Sequence, residues 1–393
     1  MTLPNKITTS DFLSPFFVAL DRFTHGPNWR IRTVLVCFFC VALFQFPDYK
    51  SLYACAVTHS EHSDAYENFV RQTAHPLQAQ HTGSGSHESN MVFRITLPLL
   101  AHVLHLNIFG VLALQLLVGL VMLWALLTLV ERITQDRPTA LLLVLGTCFT
   151  YFGSAFLHDV FFYFDAFGYA ILILLLLSRR PLVIYALSVA GCFLDERVLA
   201  ASLLVILWHS MRAPADVVPT LRRPAVSWAG AAVVASWFTY ASLRLWLASA
   251  YHLQTDIGLV GLEAFRITLI RKYAALGFIT GLESFWGLVA LALLVLLARR
   301  QWALAGALVV ALAPVFVGAF LVFDITRSLA YGFPVVLVAL VVLAHYFTRR
   351  SLRHVALVVA AFAVLIPNYA YHLHVSYSES LMEKVVRLLL TQG

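Results

Sequence analysis

Residues 108–130 read IFGVLALQLLVGLVMLWALLTLV, an apolar run that contains no Asp, Glu, Lys or Arg. A helix of about 20 apolar residues crosses the hydrocarbon core of a bilayer, so this run is long enough to span a membrane. Glu131 and Arg132 follow it at once and mark its end. The stretch therefore predicts a transmembrane helix, and similar runs recur along the chain.

The composition of the whole chain agrees with a membrane protein. Of 393 residues, 61% are hydrophobic and 12% are charged, whereas soluble domains carry roughly 25% charged residues. The mean hydropathy is +0.82. Such a chain has too little polar surface to face water on all sides, which excludes a soluble enzyme, a disulfide-rich secreted scaffold and a disordered regulator. Four of the five cysteines lie in apolar runs, and we expect buried, inert thiols.

We predict an all-α, polytopic membrane protein whose residues 1–393 form one transmembrane domain. Eleven apolar runs are close to the length needed for a membrane span. These runs are 31–47, 108–130, 138–157, 160–178, 181–195, 198–211, 225–249, 277–298, 301–323, 328–347 and 354–370.

The distribution of arginine predicts the orientation of the chain. If eleven spans alternate, six short basic connections fall on one side, which the positive-inside rule assigns to the cytoplasm. The N-terminal segment 1–30 is then cytoplasmic and the C-terminal segment 371–393 lies outside. The chain has no Asn-x-Ser/Thr sequon, which favours a bacterial inner membrane. The six connections carry Arg22, Arg30 and Arg32; Arg132 and Arg137; Arg179 and Arg180; Arg212, Arg222 and Arg223; Arg299 and Arg300; and Arg349, Arg350 and Arg353.

Several amphipathic segments are predicted to lie on the membrane surface. The long outer loop 48–107 contains two of them, one of which begins at Asp64 with Glu67 three residues later, a capping-box spacing. The predicted interfacial helices are 11–23, 64–74, 91–105, 260–274 and 380–390.

The outer side of the predicted bundle collects the residues suited to chemistry. Asp48 follows the first span, where a partly shielded carboxylate can serve as a general base; the alternative is an acid that ends the span. Asp64 is a second candidate that can equally cap its own helix. Asp165 lies inside a span, where an ionisable residue is by default a functional candidate; the alternative is a hydrogen bond to a neighbouring helix.

Two charged turns complete the candidate set. Asp195, Glu196 and Arg197 are three consecutive charges between short spans, and the alternative is a solvated, self-paired turn. Asp324 and Arg327 frame a similar turn, where the guanidinium can grip a phosphate or pair within the loop. Asp159, which follows His158 at another turn, belongs to the same side.

No metal or nucleotide motif accompanies these residues. His59 and His62 have the spacing of a metal-binding pair, but no cysteine or acidic set completes a site, so no dedicated metal site is expected. Walker, GxGxxG, HExxH and GxSxG motifs are absent in a usable context. Cytosolic nucleotide chemistry and nucleic-acid binding are therefore not expected.

The plan resembles the GT-C superfamily of polytopic membrane glycosyltransferases. Pro47 and Asp48, followed by Tyr53 and Ala54, are similar to the stretch after the first span in the aminoarabinose and mannosyl transferase branches. Tyr49 departs from that pattern, because those branches often have an acid there. The resemblance implies a long first outer loop with membrane-lying helices and a catalytic aspartate just after the first span.

The resemblance implies that the protein transfers a sugar from a polyprenyl-phosphate donor to an outer-leaflet or periplasmic acceptor. Asp48, or Asp64, would be the catalytic base. A lipid groove would open between spans. The resemblance assigns no definite cofactor and leaves a divalent metal ion open as a candidate. The residues implied to orient the substrate are Asp159, Asp165, Asp195, Glu196 and Asp324, and those implied to bind phosphate are Arg94, Arg197, Arg271, Lys272 and Arg327.

Three other functions remain open at the level of sequence. A transporter or flippase would place functional charges near mid-bilayer with access to both faces. A surface-polysaccharide polymerase would also act outside on lipid-linked sugars. A non-catalytic envelope subunit would make the outer acidic residues incidental.

Overall fold

The structure is a computed structural model. It describes residues 13–45, 49–58, 64–78, 91–160, 162–212, 219, 221, 224–253, 268–322, 324–366, 369–371, 375–377, 387 and 389–390. Within these ranges the chain is helical apart from one short hairpin. The prediction of an all-α fold is confirmed for the described residues apart from this hairpin.

The N-terminal half contains short helices before and after one long apolar helix. The elements are α1 (Ser14–Thr24), α2 (Trp29–Phe44), α3 (Tyr49–Ala56), α4 (Asp64–Ala74), α5 (Thr96–Val103), α6 (Ile108–Thr134), α7 (Arg137–Thr147), α8 (Tyr151–His158) and α9 (Asp165–Leu177).

The C-terminal half continues the bundle and ends in the hairpin. Its helices are α10 (Pro181–Cys192), α11 (Glu196–Ser210), α12 (Trp228–Tyr251), α13 (Thr268–Leu282), α14 (Trp286–Ala298), α15 (Trp302–Phe320), α16 (Ile325–Ala330), α17 (Pro334–Tyr346) and α18 (Arg349–Leu365). A 3₁₀ turn (Glu283–Phe285) joins α13 to α14. The antiparallel strands are β1 (Tyr369–Tyr371) and β2 (Val375–Tyr377).

Several of these helices could cross a membrane. Within the described ranges, four continuous helical stretches are long and apolar enough: α6, α12, residues Ala274–Ala298, and α15. Two bent pairs raise the number to six if each pair is one span, with a bend of 112° between α1 and α2 and of 61° between α7 and α8. The chain is consistent with a multi-pass membrane protein, whereas the number of eleven spans stays a prediction.

The lengths of three helices explain in part why the structure has fewer candidate spans than the eleven predicted. The predicted spans 160–178, 181–195 and 328–347 correspond to α9, α10 and α17, which are apolar but only 12 or 13 residues long. At 1.5 Å per residue such helices rise only about 18–20 Å, less than the roughly 30 Å of hydrocarbon. α17 is buried from Pro334 to Leu343, so other helices surround it.

Two predicted surface helices appear with small changes of boundary. Residues 64–74 form α4 with the predicted ends, and the segment 11–23 overlaps α1, which runs from Ser14 to Thr24. The segment 91–105 differs, because a turn at 91–93 precedes the shorter helix α5. A helix with Pro98 in its first turn can begin only just before that proline, since proline lacks a backbone donor.

The other two surface helices differ more. The segment 260–274 enters the described residues at Thr268, where α13 starts and runs on to Leu282, so its described part belongs to a longer helix. Most of 380–390 lies outside the described residues. The strands just before it, YAY and VSY, were not anticipated; their aromatic and β-branched residues suit a pleated strand.

Local sequence explains the connection from α6 to α7. Asn107 caps the start of α6 by accepting a hydrogen bond from the Gly110 amide. At the other end, Gln135 takes a left-handed conformation and stops the helix. Asp136 then caps α7 by accepting from the Thr139 amide, with Pro138 in the first turn.

The end of the bundle that is predicted to face the cytoplasm is held together by ion pairs. Glu131 accepts from Arg30 at 2.6 Å and lies 3.2 Å from Arg137. Arg353 joins Asp136 at 2.7 Å to Asp21 of α1 at 2.8 Å. The acids described at this end, Asp21, Glu131 and Asp136, are therefore each paired with arginine.

Candidate functional site

Four chain connections meet at the opposite end of the bundle. They are the turn before α5, the α8–α9 connection, the α10–α11 connection and the α15–α16 connection. Each brings at least one charged residue: Arg94, Asp159, Asp195 and Asp324 respectively. The first residues of α9, α11 and α16 add more, and the result is one continuous set of contacts. We call this set the charged network; it comprises Arg94, Asp159, Asp165, Asp195, Glu196, Arg197, Arg244, Asp324 and Arg327.

Asp165 is the centre of the charged network and is completely buried. Its Oδ2 accepts a hydrogen bond from Arg327 Nε at 2.6 Å and another from the Tyr151 hydroxyl at 2.9 Å. Its Oδ1 accepts from the Tyr331 hydroxyl at 3.0 Å and lies 3.5 Å from Nη1 of Arg197. A buried carboxylate needs such partners to offset its loss of hydration.

Gly168 allows this arrangement. It lies one turn after Asp165 on α9, and a Cβ atom there would come within 2.7 Å of the Tyr331 hydroxyl oxygen. Any other residue would push the tyrosine away from Asp165. The lack of a side chain at Gly168 therefore lets α9 lie close to Tyr331, which follows α16.

Arg327 is the most heavily engaged cation of the charged network. Besides Asp165 it binds Asp324, with 2.6 Å between Nη1 and Oδ2. Its guanidinium carbon lies 3.6 Å from the centroid of the Tyr163 ring, a cation–π contact. Only 3% of its side chain is exposed, yet Nη2 has no hydrogen-bond partner among the described residues.

Arg197 connects the centre to the α10–α11 connection. Its guanidinium lies 3.8 Å from Asp195 and 3.9 Å from Asp324, in addition to Asp165. Asp195 also caps α11, because its Oδ1 accepts from the Arg197 amide at 2.8 Å. Asp195 therefore both caps α11 and pairs with the Arg197 guanidinium in the charged network.

Arg94 and Arg244 extend the charged network to the turn at residues 91–94 and to α12. Arg94 lies 3.0 Å from Asp195 and 3.5 Å from Glu196. Arg244 lies 3.6 Å from Glu196, donates to the Tyr240 hydroxyl at 2.6 Å and packs 4.4 Å from the Phe93 ring centroid. Burial alone lowers the pKa of Arg94, but the two carboxylates outweigh it and raise that pKa, so Arg94 stays a cation.

Asp159 shapes the α8–α9 connection. Its carboxylate accepts from the backbone amides of Tyr163 at 3.4 Å and Asp165 at 3.3 Å. In the same connection, Phe162 and Phe164 have positive φ angles of 67° and 58°, which are strained for such residues. Burial, together with the charge of Asp165, raises the pKa of Asp159 to about 6.

An apolar groove runs from the charged network along the side of the bundle. It lies between α11 and α12, has a volume of about 1100 Å³, and reaches Pro314 of α15. Glu196 and Arg244 line one part of it, and Leu203 and Trp237 are among the apolar residues that line the rest. A charged end and a long apolar wall suit an amphiphile.

Eight of the twelve predicted site residues meet in the charged network, and their proposed roles stay predictions. Asp48 lies outside the described residues. Asp64, Arg271 and Lys272 lie on α4 and α13, but their side chains are outside the description. The eight are Arg94, Asp159, Asp165, Asp195, Glu196, Arg197, Asp324 and Arg327.

Sequence analysis missed four contributors. Arg244 lies in the apolar run 225–249, where an arginine can simply extend its head group to the membrane surface, so its position gives no sign of a partner. Tyr151, Tyr163 and Tyr331 were not singled out, because a tyrosine in an apolar run gives no sign of which carboxylate or guanidinium it will meet.

The described residues show no metal site: within these ranges, no group of three or more His, Cys, Asp or Glu residues could hold a metal ion. The predicted pair His59 and His62 lies outside those ranges.

Comparison with protein-family models, with curated proteins and with solved structures finds no match to this chain. The charged network and the groove beside it are therefore the features of the molecule that bear on its function.

Proposed function

We propose that this chain is a membrane glycosyltransferase that moves a sugar from a polyprenyl-phosphate donor to an acceptor at the outer face of the membrane. One observation carries the proposal: an apolar groove is lined by Glu196 and Arg244, two residues of the charged network that also contains the buried Arg197 and Arg327. A lipid-linked donor has the matching chemistry, with a long apolar chain, a phosphate and a sugar.

The arginines supply the electrostatic part of the reaction. Negative charge develops on the phosphate as the bond to the sugar breaks, and preorganised donors stabilise it. Arg327 Nη2 and Arg197 Nη1 have no hydrogen-bond partner among the described residues. Nη2 of Arg327 stays in place because Nε and Nη1 of the same side chain are held by Asp165 and Asp324. Nη1 of Arg197 lies 3.5 Å from Asp165 Oδ1 but makes no hydrogen bond.

The groove supplies binding energy for the lipid. Each buried methylene contributes about 0.8 kcal/mol, so even part of a polyprenyl chain binds firmly in an apolar groove. Glu196 is the most exposed acid of the charged network, with 32% of its side chain accessible, and it lines the groove. It is placed to accept a hydrogen bond from a sugar hydroxyl.

Asp48 is the base in this proposal. It takes the proton of the acceptor hydroxyl, whose oxygen forms the new bond to the anomeric carbon. The bond from that carbon to the phosphate oxygen breaks, and the lipid phosphate leaves with the electron pair. In support, Leu52 of α3 belongs to the same buried apolar cluster as Phe162 and Phe164 of the strained connection.

The experiment is a transfer assay in proteoliposomes with polyprenyl-phosphate sugars as donors. Asp48→Asn is expected to fold and to lose about 100-fold or more of the rate, the usual contribution of a general base. Arg327→Gln is expected to slow transfer by a similar factor, because one charged donor is lost. Glu131→Gln, at the other end of the bundle, is the control and should keep the rate. Undiminished transfer by Asp48→Asn would refute the assignment of the base, and no transfer by the wild type from any polyprenyl-phosphate donor would refute the function.

One observation favours a transporter as the second candidate. Glu283 is 7% exposed, and its Oε2 has no hydrogen-bond partner among the described residues. It lies at the break between α13 and α14, within the candidate span Ala274–Ala298, with a φ of 50°. Ionisable residues at breaks in spanning helices are typical of ion-coupled transporters. Glu283→Gln in the same liposomes separates the two functions, because a transporter should lose substrate uptake and a transferase should keep its rate.

A further inference from the structure

A wide cavity opens at the end of the bundle opposite to the charged network, where α17 ends and α18 begins. Its volume is about 590 Å³, within the range of roughly 300–1,000 Å³ that is typical of small-molecule pockets. Three parts of the chain enclose it: the stretch before α12, the α14–α15 connection with the first turn of α15, and the end of α17. The cavity is therefore built by elements that are far apart in the sequence.

The lining of this cavity carries positive charge. Arg300 and His345 supply side-chain donors, and no Asp or Glu is among the described residues that line it. Arg299, next to Arg300, packs 5.2 Å from the ring centroid of Tyr346. Neither arginine forms an ion pair within the described part of the chain, and the acids described at this end already pair with other arginines. This uncompensated charge attracts an anion.

Cations are common at the C-terminal ends of helices such as α14. The cavity around Arg300, and the apolar surface beside that cavity, distinguish this one from an ordinary helix end.

The surface that leads away from the cavity is apolar. Trp302 lines the cavity, begins α15 and is 63% exposed; amphipathic rings of this kind are enriched at the level of lipid head groups. Val309 and Val310 follow seven and eight residues later, on the same face of the helix, and are also exposed. A small soluble anion would leave this face uncovered, whereas the acyl chains of a lipid would cover it.

We propose that this cavity binds the head group of an anionic phospholipid, with the phosphate at Arg300 and the acyl chains along the exposed face of α15. The lipid belongs to the leaflet at this end of the bundle, which the distribution of arginine predicts to be the cytoplasmic one. A zwitterionic lipid fits less well, because no described carboxylate lines the cavity to accept its ammonium group. Basic pockets between spanning helices suit anionic head groups for the same electrostatic reason.

The test is native mass spectrometry of the full chain, released from micelles that contain equal amounts of a phosphatidylglycerol and a phosphatidylcholine with the same acyl chains. The wild type is expected to retain the phosphatidylglycerol. Arg300→Gln should lower the ratio of the two bound lipids by about fivefold, the effect of one arginine near an anionic head group. Gln301→Arg adds a cation to the lining and should raise the ratio by a similar factor, a gain that misfolding cannot produce.

Arg180→Gln is the matched control. It removes an exposed arginine from the α9–α10 connection at the same end, outside the lining of the cavity, and should keep the ratio of the wild type. Equal retention of the two lipids by the wild type would overturn the proposal. So would a loss in Arg180→Gln as large as that in Arg300→Gln, or displacement of the bound lipid by millimolar inorganic phosphate, which would indicate a site for a free anion.

This lipid site and the proposed transferase function are tested separately. The mass spectra involve no sugar donor, and the transfer assay involves residues at the other end of the bundle. Failure of the lipid preference therefore refutes only the lipid site, and failure of transfer refutes only the enzyme.

Discussion

At the scale of single residues, the charged network shows why individual side chains depend on each other. Asp165 has no exposed surface. Among the described residues, the partners of its carboxylate are side chains from other elements: Tyr151, Arg197, Arg327 and Tyr331. Removing one member of a buried pair leaves the other uncompensated, which commonly costs about 3–5 kcal/mol. Removing both members costs less than the sum.

This gives a prediction for the pair Asp165 and Arg327. Asp165→Leu and Arg327→Met should each lower the midpoint of thermal unfolding in nanodiscs, because each leaves a buried partner without its counter-charge. The double variant should lose less than the two single losses combined, by about 1–3 kcal/mol of coupling. Strictly additive losses in this double-mutant cycle would show that the two charges do not support each other.

At the scale of elements, the close approach of α9 to Tyr331 decides how the network forms. Gly168 faces the tyrosine hydroxyl, whereas Gly306 of α15 has open space where a Cβ would stand. The two positions lie on helices of comparable apolar character, so they form a matched pair.

The prediction compares alanine at these two glycines. Gly168→Ala should reduce stability by about 1–3 kcal/mol, because the added methyl forces Tyr331 off Asp165. Gly306→Ala should keep or raise stability by up to about 1 kcal/mol, since alanine favours helix over glycine. Thermal unfolding of both variants measures the difference, and equal responses would contradict the importance of this contact.

At the scale of the whole molecule, a second set of ion pairs ties the opposite end of the bundle together. Asp136 caps α7 and binds Arg353 of α18 through both oxygens, at 3.0 Å and 2.7 Å. Arg353 in turn holds Asp21 of α1. Burial by itself raises the pKa of Asp136, but hydrogen bonds from Arg353 and Thr139 outweigh it and hold the pKa below its ordinary value.

A pH dependence follows from that direction. Because the folded-state pKa of Asp136 lies below the unfolded value of about 3.9, its contribution to stability is complete above that value and is lost as the pH falls through the folded pKa. Asp136→Asn should be less stable than the wild type at neutral pH by about 1–3 kcal/mol. The difference should shrink as the pH is lowered below about 4, which unfolding midpoints in a pH series would reveal. A constant difference across the series would contradict the assignment.

The helices of this protein and its candidate site differ in how far the sequence predicts them. The helical class and most helix positions follow from apolar runs and caps, as α4 and α6 illustrate. The lengths of α9, α10 and α17 do not follow, because periodicity cannot show where a buried helix stops once neighbouring helices, rather than lipid, cover it. Eight predicted site residues share one network because charges at the ends of successive helices in a bundle collect at two ends only.

Composition and charge order alone predict a helical protein with apolar helices long enough for a membrane and with its acids and bases gathered at helix ends, because an apolar solvent permits few other places for them. Only the tertiary structure decides which charges pair and that tyrosines complete the shell of Asp165. Those facts depend on distances between residues far apart in sequence, such as the 2.6 Å between Asp165 and Arg327. A pattern along one chain contains no information on such distances until the helices have packed.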